Sequence, residues 1–143
     1  MLSTYIPKAK EIDHRWHQIN VKDQILGRVA TQIAETLMGK SKPYFVRNLD
    51  CGDYVVVLNA AKVRVTGNKQ TQKIYTRYSG YPGGIRREAF RDLLARRPTE
   101  VIRHAVMGML PKNKLRDQMI TRLYIYADSE HPYKEKFTKS KKN

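Results

Sequence analysis

The chain has 143 residues, 41% of them hydrophobic, and carries 28 Lys and Arg against 13 Asp and Glu, a net charge of +15. This length fits one domain with a real core, and the composition excludes a wholly disordered chain. No apolar run reaches the roughly 18 residues of a membrane span, so we expect no membrane partner. A folded domain with so much like charge repels itself unless it binds a polyanion, most often nucleic acid.

The first half of the chain predicts a strand, a helix and a second strand. The segment over residues 15–21, with apolar Trp16, Ile19 and Val21, predicts a short strand. From Leu26 to Leu37 they recur at three- and four-residue steps, which predicts an amphipathic helix that Gly39 ends. Residues 54–58 form a continuous β-branched run, typical of a parallel strand buried on both faces.

Two alternating segments follow, and each predicts a half-buried strand. Residues 62–66 alternate charged and apolar side chains, and residues 73–78 do so again. In the second segment Tyr75 shares a face with the basic residues, whereas Tyr78 shares a face with Ile74. We therefore expect Tyr78 to belong to the core. The Gly-rich residues that come next, 79–84, predict a loop.

The remaining residues predict two helices, a last strand and a tail. The helices cover residues 86–97 and a segment that starts at Pro98, because proline is favoured in a first helical turn. Residues 123–126 predict the last strand. From residue 129 to the end the chain is rich in lysine and has no periodicity.

Strands that alternate with helices predict an α/β fold with a mainly parallel sheet. We divide the chain into an N-terminal extension over residues 1–13, a single α/β domain over 14–128 and a basic C-terminal tail over 129–143. The chain has no internal repeat and no linker long enough to separate two domains.

The residue patterns of enzymes and metal sites are missing from the sequence. There is no G-x-G-x-x-G after a strand and no G-x-x-x-x-G-K-S/T, and Pro82 removes a backbone donor from the one Gly-rich loop. Cys51 is the single cysteine, and the four histidines lack metal-ligand spacing. We interpret Asp50 and Asp53 as local hydrogen-bonding groups. The sequence therefore predicts no catalytic residues, no metal and no cofactor.

The basic residues are concentrated in the second half of the chain. Residues 1–60 hold 8 basic and 6 acidic side chains, and residues 61–143 hold 20 and 7, a net charge of +13. Tyrosines lie among these cations, and a ring stacked on an unpaired base contributes about 1–3 kcal/mol. The alternative for each tyrosine is packing against the sheet. Cations spread over loops, helices and a tail favour folded RNA over a DNA groove.

The predicted RNA contacts come from several segments of the chain. Arg87 and Arg91 are expected on one side of a helix, where an anion between them would offset their repulsion. The cations after Pro111 lie in a connection, and the lysines of the tail are expected to order along an RNA backbone. The full set is Lys40, Lys42, Lys62, Arg64, Asn68, Lys69, Lys73, Tyr75, Arg77, Tyr81, Arg86, Arg87, Arg91, Lys112, Lys114, Arg116, Arg122, Lys134 and Lys136.

Four strings of the sequence, in this order, carry a family resemblance: residues 52–60, 65–69, 73–84 and 96–112. Together with the segment around Leu26, they resemble the family of bacterial-type large-subunit ribosomal proteins that carries the number thirteen. The resemblance implies a three-layer α/β/α domain with a four-stranded parallel sheet that binds large-subunit rRNA early in assembly. It implies neighbouring ribosomal proteins as partners, and no enzymatic activity or cofactor.

The chain departs from the family pattern at two places. Met107 stands where the family usually has a lysine, and residues 113–116 read Asn-Lys-Leu-Arg where the family tends to have Gly-Pro-Leu-Gly. We expect a protein that is not a homo-oligomer, located in a cytoplasmic ribosome, with an organelle-encoded ribosome as the alternative. A regulatory RNA-binding protein and, less favoured, an α/β enzyme acting on a phosphorylated substrate are the competing hypotheses.

Overall fold

The computed structural model describes residues 4–140, with side chains up to residue 137. Besides two short 3-10 turns, the described chain forms strands and helices that alternate over most of its length. In chain order these elements are β1 (Trp16–Asn20), α1 (Leu26–Met38), β2 (Tyr54–Leu58), α2 (Lys69–Gln72), β3 (Ile74–Tyr78), β4 (Ile85–Ala89), α3 (Phe90–Arg96), α4 (Pro98–Met109), α5 (Leu115–Thr121), β5 (Leu123–Ile125) and α6 (Lys134–Ser140).

The main sheet is parallel and has three strands in the order β1-β2-β5. Its register places Trp16 opposite Tyr54 and Val56 opposite Tyr124. Strand β2 lies in the centre, and Val55, Val56 and Val57 are fully buried. The predicted central strand with two buried faces is thus confirmed.

The hydrophobic core lies on one face of this sheet. Val55 and Val57 point from β2 into a cluster with residues of α1, α3 and α4, such as Ile33, Phe90 and Ile102. Burying one such side chain contributes about 1.5–3 kcal/mol. The apolar stripe that predicts α1 faces this cluster. The helix ends as expected at Gly39, whose φ of 76° is left-handed and whose N–H donates to the carbonyls of the last turn.

The opposite face of the sheet is aromatic and is covered by the C-terminal segment. Trp16 stacks on Tyr54 with ring centroids 4.5 Å apart and planes within 7°. Tyr133 stacks on Trp16 at 5.2 Å, and Phe137 of α6 meets the indole edge-on. The prediction of an unpatterned tail is therefore wrong for residues 134–140, which form α6. Tyr133, just before α6, and Phe137, within it, supply contacts that lysine content alone does not indicate.

The four-stranded parallel sheet is not confirmed, because the described chain has three parallel strands. The expected strand over residues 62–66 follows a 3-10 turn (Ala60–Lys62) and makes one parallel bridge, between Arg64 and Ile25. Backbone hydrogen bonds join Arg64 to Gln24 and Leu26. The pairing stops there because the neighbouring segment turns into helix α1 at Leu26.

The second half differs from expectation at two further places. Residues 85–89 form strand β4, antiparallel to β3, so the helix predicted from residue 86 starts only at Phe90. The helical spacing of apolar residues in this segment begins only at Ala89. The residues before Ala89 form a strand instead, because β3 offers them a hydrogen-bonding partner. Helix α4 starts at Pro98 as predicted. The connection after Pro111 contains a helix that we did not predict, α5.

Candidate nucleic-acid interface

The β3–β4 hairpin is the most prominent basic feature of the surface. Its register pairs Arg77 with Arg86 and Thr76 with Arg87. The loop between the strands is closed by hydrogen bonds from the Ser79 N–H to the Gly84 carbonyl, 3.1 Å, and from the Gly84 N–H to the Tyr81 carbonyl. Residues partnered across two strands share one face, so this register starts the side chains of Arg77 and Arg86 from neighbouring positions on the same face.

The hairpin cations have no acidic partner in the part of the chain that the structure describes. The nearest candidate, Glu88, forms a two-point ion pair with Arg96 at 3.0 and 2.7 Å. None of the five ion pairs found among these residues includes a hairpin arginine. The exposed, unpaired cations of this region are Arg77, Arg86, Arg87 and Arg91. Their charge is therefore available to an external anion.

The structure reverses the two faces that we expected for β3. Tyr75 is the inward residue, with its ring 5.3 Å from that of His104, and burial raises the pKa of its hydroxyl. Ile74 and Tyr78 are 57% and 66% exposed, so the prediction that Tyr78 belongs to the core is wrong. The physical reason is that the hairpin packs on α3 and α4 through the Tyr75 face. Tyr81, at the tip, is 75% exposed.

Arg87 and Arg91 also differ from expectation. Arg87 lies on β4 and Arg91 on α3, so they do not occupy one side of a single helix as predicted. Both side chains are exposed. The like-charged neighbours that the register brings together are instead Arg77 and Arg86.

A second group of cations lines a groove at the start of α1. Arg28, Lys69 and Lys73 border this groove, which has a volume of about 460 Å³. No side chain caps this end of α1, and the start of a helix carries partial positive charge. Asn68, Lys62 and Arg64 are exposed on the chain that leads to Lys69. Arg28 was not among the predicted contacts, although its position in the first turn of a predicted helix was a usable signal.

A third group lies around the end of α1 and the α4–α5 connection. Lys40, Lys112 and Lys114 are exposed there, and Arg116 is half-buried. Arg47, which we did not predict, is exposed and, with Lys40, lines a cavity between the end of α1 and the α4–α5 connection. Long-range packing brings these residues together from two parts of the chain.

Arg122 is not a surface residue. Its side chain is 8% exposed and donates to the carbonyls of Gly52 at 2.8 Å and Leu37 at 3.1 Å, besides forming an ion pair with Asp50. Gly52 must be glycine, because a Cβ there would lie 1.6 Å from the Leu37 oxygen. Arg122 therefore ties β5 to β2 and to the end of α1, and it faces the protein rather than a ligand.

Lys42 is also engaged inside the protein. Its ammonium lies 2.6 Å from the Asp53 carboxylate, which also accepts from the Arg15 N–H at 3.0 Å and contacts His17 Nε2 at 2.7 Å. Burial acts to raise the pKa of Asp53, but the hydrogen bonds of His17, Arg15 and Lys42 outweigh it and lower that pKa to about 2. The folded state therefore favours the charged form of Asp53 beside the Lys42 ammonium.

The tail lysines lie partly on the aromatic face. Lys134 and Lys136 are exposed on α6, and the Lys136 ammonium stands 5.8 Å from the centre of the Trp16 ring system. Of the other tail lysines that we predicted as cations, Lys141 and Lys142 lie outside the described residues, as does the side chain of Lys139.

Within residues 4–140, no group of three or more His, Cys, Asp or Glu side chains could hold a metal ion. Among the same residues, no helix is long and apolar enough to cross a membrane.

The fold and the three groups of cations define a class: small basic α/β proteins with a surface complementary to a polyanion. A family model described as ribosomal protein L13 matches residues 14–132. The chain therefore belongs to the ribosomal protein L13 family.

Named relatives agree with this family assignment. The large ribosomal subunit protein uL13 of Dehalococcoides mccartyi is 54% identical over 132 residues, covering 92% of both chains. The protein of the same name from Salinispora arenicola is 50% identical over 92% of this chain and 90% of its own. That from a Cyanothece species is 49% identical over 93% and 89%.

Proposed function

We propose that this protein is a structural constituent of the large ribosomal subunit that binds and stabilises large-subunit rRNA. The observation that carries the proposal is the set of exposed hairpin and α3 arginines that form no ion pair among the described residues, on a chain whose family and relatives are ribosomal. Its role is architectural and not enzymatic. It acts in the ribosome of the cytoplasm, next to other ribosomal proteins, and as a single copy rather than a homo-oligomer.

The proposed interface has three parts. The hairpin contributes Arg77, Arg86 and Arg87 with Arg91 of α3, and Tyr81 is exposed enough to stack on a base. The groove at α1 adds the exposed Arg28 and Lys69, and the group around the α4–α5 connection adds the exposed Lys40, Arg47, Lys112 and Lys114. Phosphate contacts fix the register of a protein on RNA, stacking on unpaired bases adds affinity, and hydrogen bonds to base edges give selectivity.

Not all the predicted contacts enter this interface in the same way. Lys42, Tyr75 and Arg122 are held by partners within the protein. We assign them to the framework that positions the interface. The remaining contacts stay predictions: Lys62, Arg64, Asn68, Arg116, Lys134 and Lys136. Addition early in assembly also remains a prediction, supported by the resemblance to the family.

Salt dependence tests the proposal directly. We expect the binding constant for transcribed large-subunit rRNA to fall as the salt concentration rises. If about six phosphates are neutralised, a plot of the logarithm of the binding constant against the logarithm of the salt concentration has a slope of about −4 to −5. A slope near −1 would contradict extended backbone contact. In a lysate, the protein is expected to sediment with the large subunit through a high-salt sucrose gradient. A protein left at the top of that gradient would favour the regulatory alternative.

A further inference from the structure

A cavity of about 240 Å³ lies between the end of α1, residues 45–49 and the α4–α5 connection. Its walls are apolar: Met38, Phe45, Leu49, Pro111 and Met119. Met119 is buried, whereas the other four are partly exposed, so the cavity is open to solvent on one side. Apolar cavities of this kind receive flat or aliphatic groups.

The rim of the cavity is cationic. Lys40 and Arg47 line it, both are exposed, and neither takes part in an ion pair formed among residues 4–140. Lys112 and Lys114 are exposed on either side of Asn113, which also lines the cavity. An apolar occupant that brings negative charge with it therefore fits this site better than a purely apolar side chain.

Asn113 adds a directed hydrogen-bond donor. Its side-chain oxygen accepts from the N–H groups of Leu115 and Arg116, at 3.1 and 3.2 Å, which caps helix α5. Because the two N–H groups require an acceptor, the Asn113 side chain must turn its oxygen towards them, and this fixes the position of its NH₂ group. The amide NH₂ makes no hydrogen bond within the described range, so it is free to donate to a group in the cavity.

We propose that this cavity binds a single unstacked base of large-subunit rRNA. The base stacks on Phe45, an acceptor on its edge receives the Asn113 amide, and Lys40 and Arg47 bind the adjoining phosphates. A nucleotide has an apolar base face, a polar base edge and a charged phosphate. The apolar walls of the cavity, the Asn113 amide and the cationic rim match these three parts in turn. This inference rests on the proposed function and extends it to a defined site.

The test uses the full-length protein, transcribed large-subunit rRNA and three variants. Asn113→Ser keeps an acceptor for the cap of α5 but removes the amide donor, and Leu49→Trp fills the cavity. Asn48→Ser is the matched control, since Asn48 is exposed and does not line the cavity. Thermal melting verifies that each variant is folded. If Leu49→Trp does not fold, Phe45→Leu replaces it and removes the stacking surface.

Chemical modification of base edges is read together with hydroxyl-radical footprinting of the RNA backbone. We expect one base that is protected by the wild-type protein and by Asn48→Ser but reactive with Asn113→Ser and Leu49→Trp, while the backbone footprint persists. The affinity of Leu49→Trp is expected to fall about tenfold.

The failures of the two proposals are distinguishable. Identical base reactivities for all four proteins, with the backbone footprint intact, would overturn the base-binding site and leave rRNA binding in place. That result would assign the cavity to another occupant, such as a side chain of a neighbouring protein. Absence of a footprint with the wild-type protein would overturn both.

Discussion

Arg77 and Arg86 lie directly opposite each other in the register of β3 and β4. Like charges that face each other across two strands destabilise a hairpin, and neither arginine has a carboxylate partner in the described part of the chain. The nearby carboxylate of Glu88 is taken by Arg96. The hairpin is therefore arranged for an anion that residues 4–140 do not supply.

Replacing both residues, Arg77→Ala with Arg86→Ala, is expected to weaken rRNA binding without harming the fold. Loss of two phosphate contacts should make the salt slope shallower by about 1.4 to 1.8. The free energy of unfolding should stay unchanged or rise by up to about 1 kcal/mol, because the repulsion is relieved. Filter binding at several salt concentrations and urea unfolding measure the two effects. Lys10→Ala, in the N-terminal segment, is the control, and an equal loss of affinity there would refute a localised contact.

Arg122 is expected to act on stability and not on the salt slope. Removing one partner of a buried ion pair costs about 3–5 kcal/mol, so Arg122→Ala should lower the free energy of unfolding by that amount. Arg122→Lys keeps the charge but not the forked hydrogen bonds and should lower it by about 1–3 kcal/mol. Binding measured well below each melting temperature should keep the wild-type slope. A shallower slope with full stability would instead identify a direct phosphate contact.

Asp53 gives the fold a defined acid sensitivity. Its pKa is about 2 in the folded protein against an ordinary value of 3.8, so the folded state favours the carboxylate. This stabilisation, about 2 kcal/mol, is fully present above pH 3.8 and is lost as the pH falls through that value towards 2. Urea unfolding at pH 7 and at pH 2 should reveal the difference. In Asp53→Asn the free energy of unfolding should already be lower at pH 7, and it should fall less between pH 7 and pH 2 than in the wild type. If it falls by as much as in the wild type, the acid sensitivity belongs to other groups.

Trp16 reports on the docking of α6, because it is the single tryptophan and Phe137 contacts its edge. Phe137→Ala should remove an aromatic contact that contributes about 0.5–1.5 kcal/mol and shift the tryptophan emission to longer wavelength. Glu135→Ala, an exposed residue of the same helix, should leave the emission unchanged. Equal spectra for all three proteins would show that α6 does not rest on Trp16 in solution.

Elements with a strong local pattern were predicted well. Helix α1, its end at Gly39, the start of α4 at Pro98 and the buried strand β2 follow from periodicity, a left-handed cap and the geometry of proline. Strand β4 and the loss of the expected strand at 62–66 were not predicted. Both depend on which distant segment offers a hydrogen-bonding partner, and no local pattern carries that information.

The candidate site divides in the same way. The number of cations and their concentration in the second half follow from the sequence. The sequence does not show whether a given cation is free to bind a ligand. Arg77 and Arg122 were both predicted as RNA contacts, yet Arg77 is exposed and Arg122 is buried and paired with Asp50. Tyr75 and Tyr78 differ in the same manner, since the face of β3 that packs inward is chosen by α3 and α4.

The sequence by itself determined the class of fold, the lack of enzyme motifs and the polyanion-binding character, because these depend on local periodicity and on summed charge. Only the tertiary structure decided which side chains are presented and which are enclosed. Burial and ion pairing join residues far apart in the chain, as Arg122 joins Gly52 and Leu37, and those distances close only when the sheet and its helices are packed.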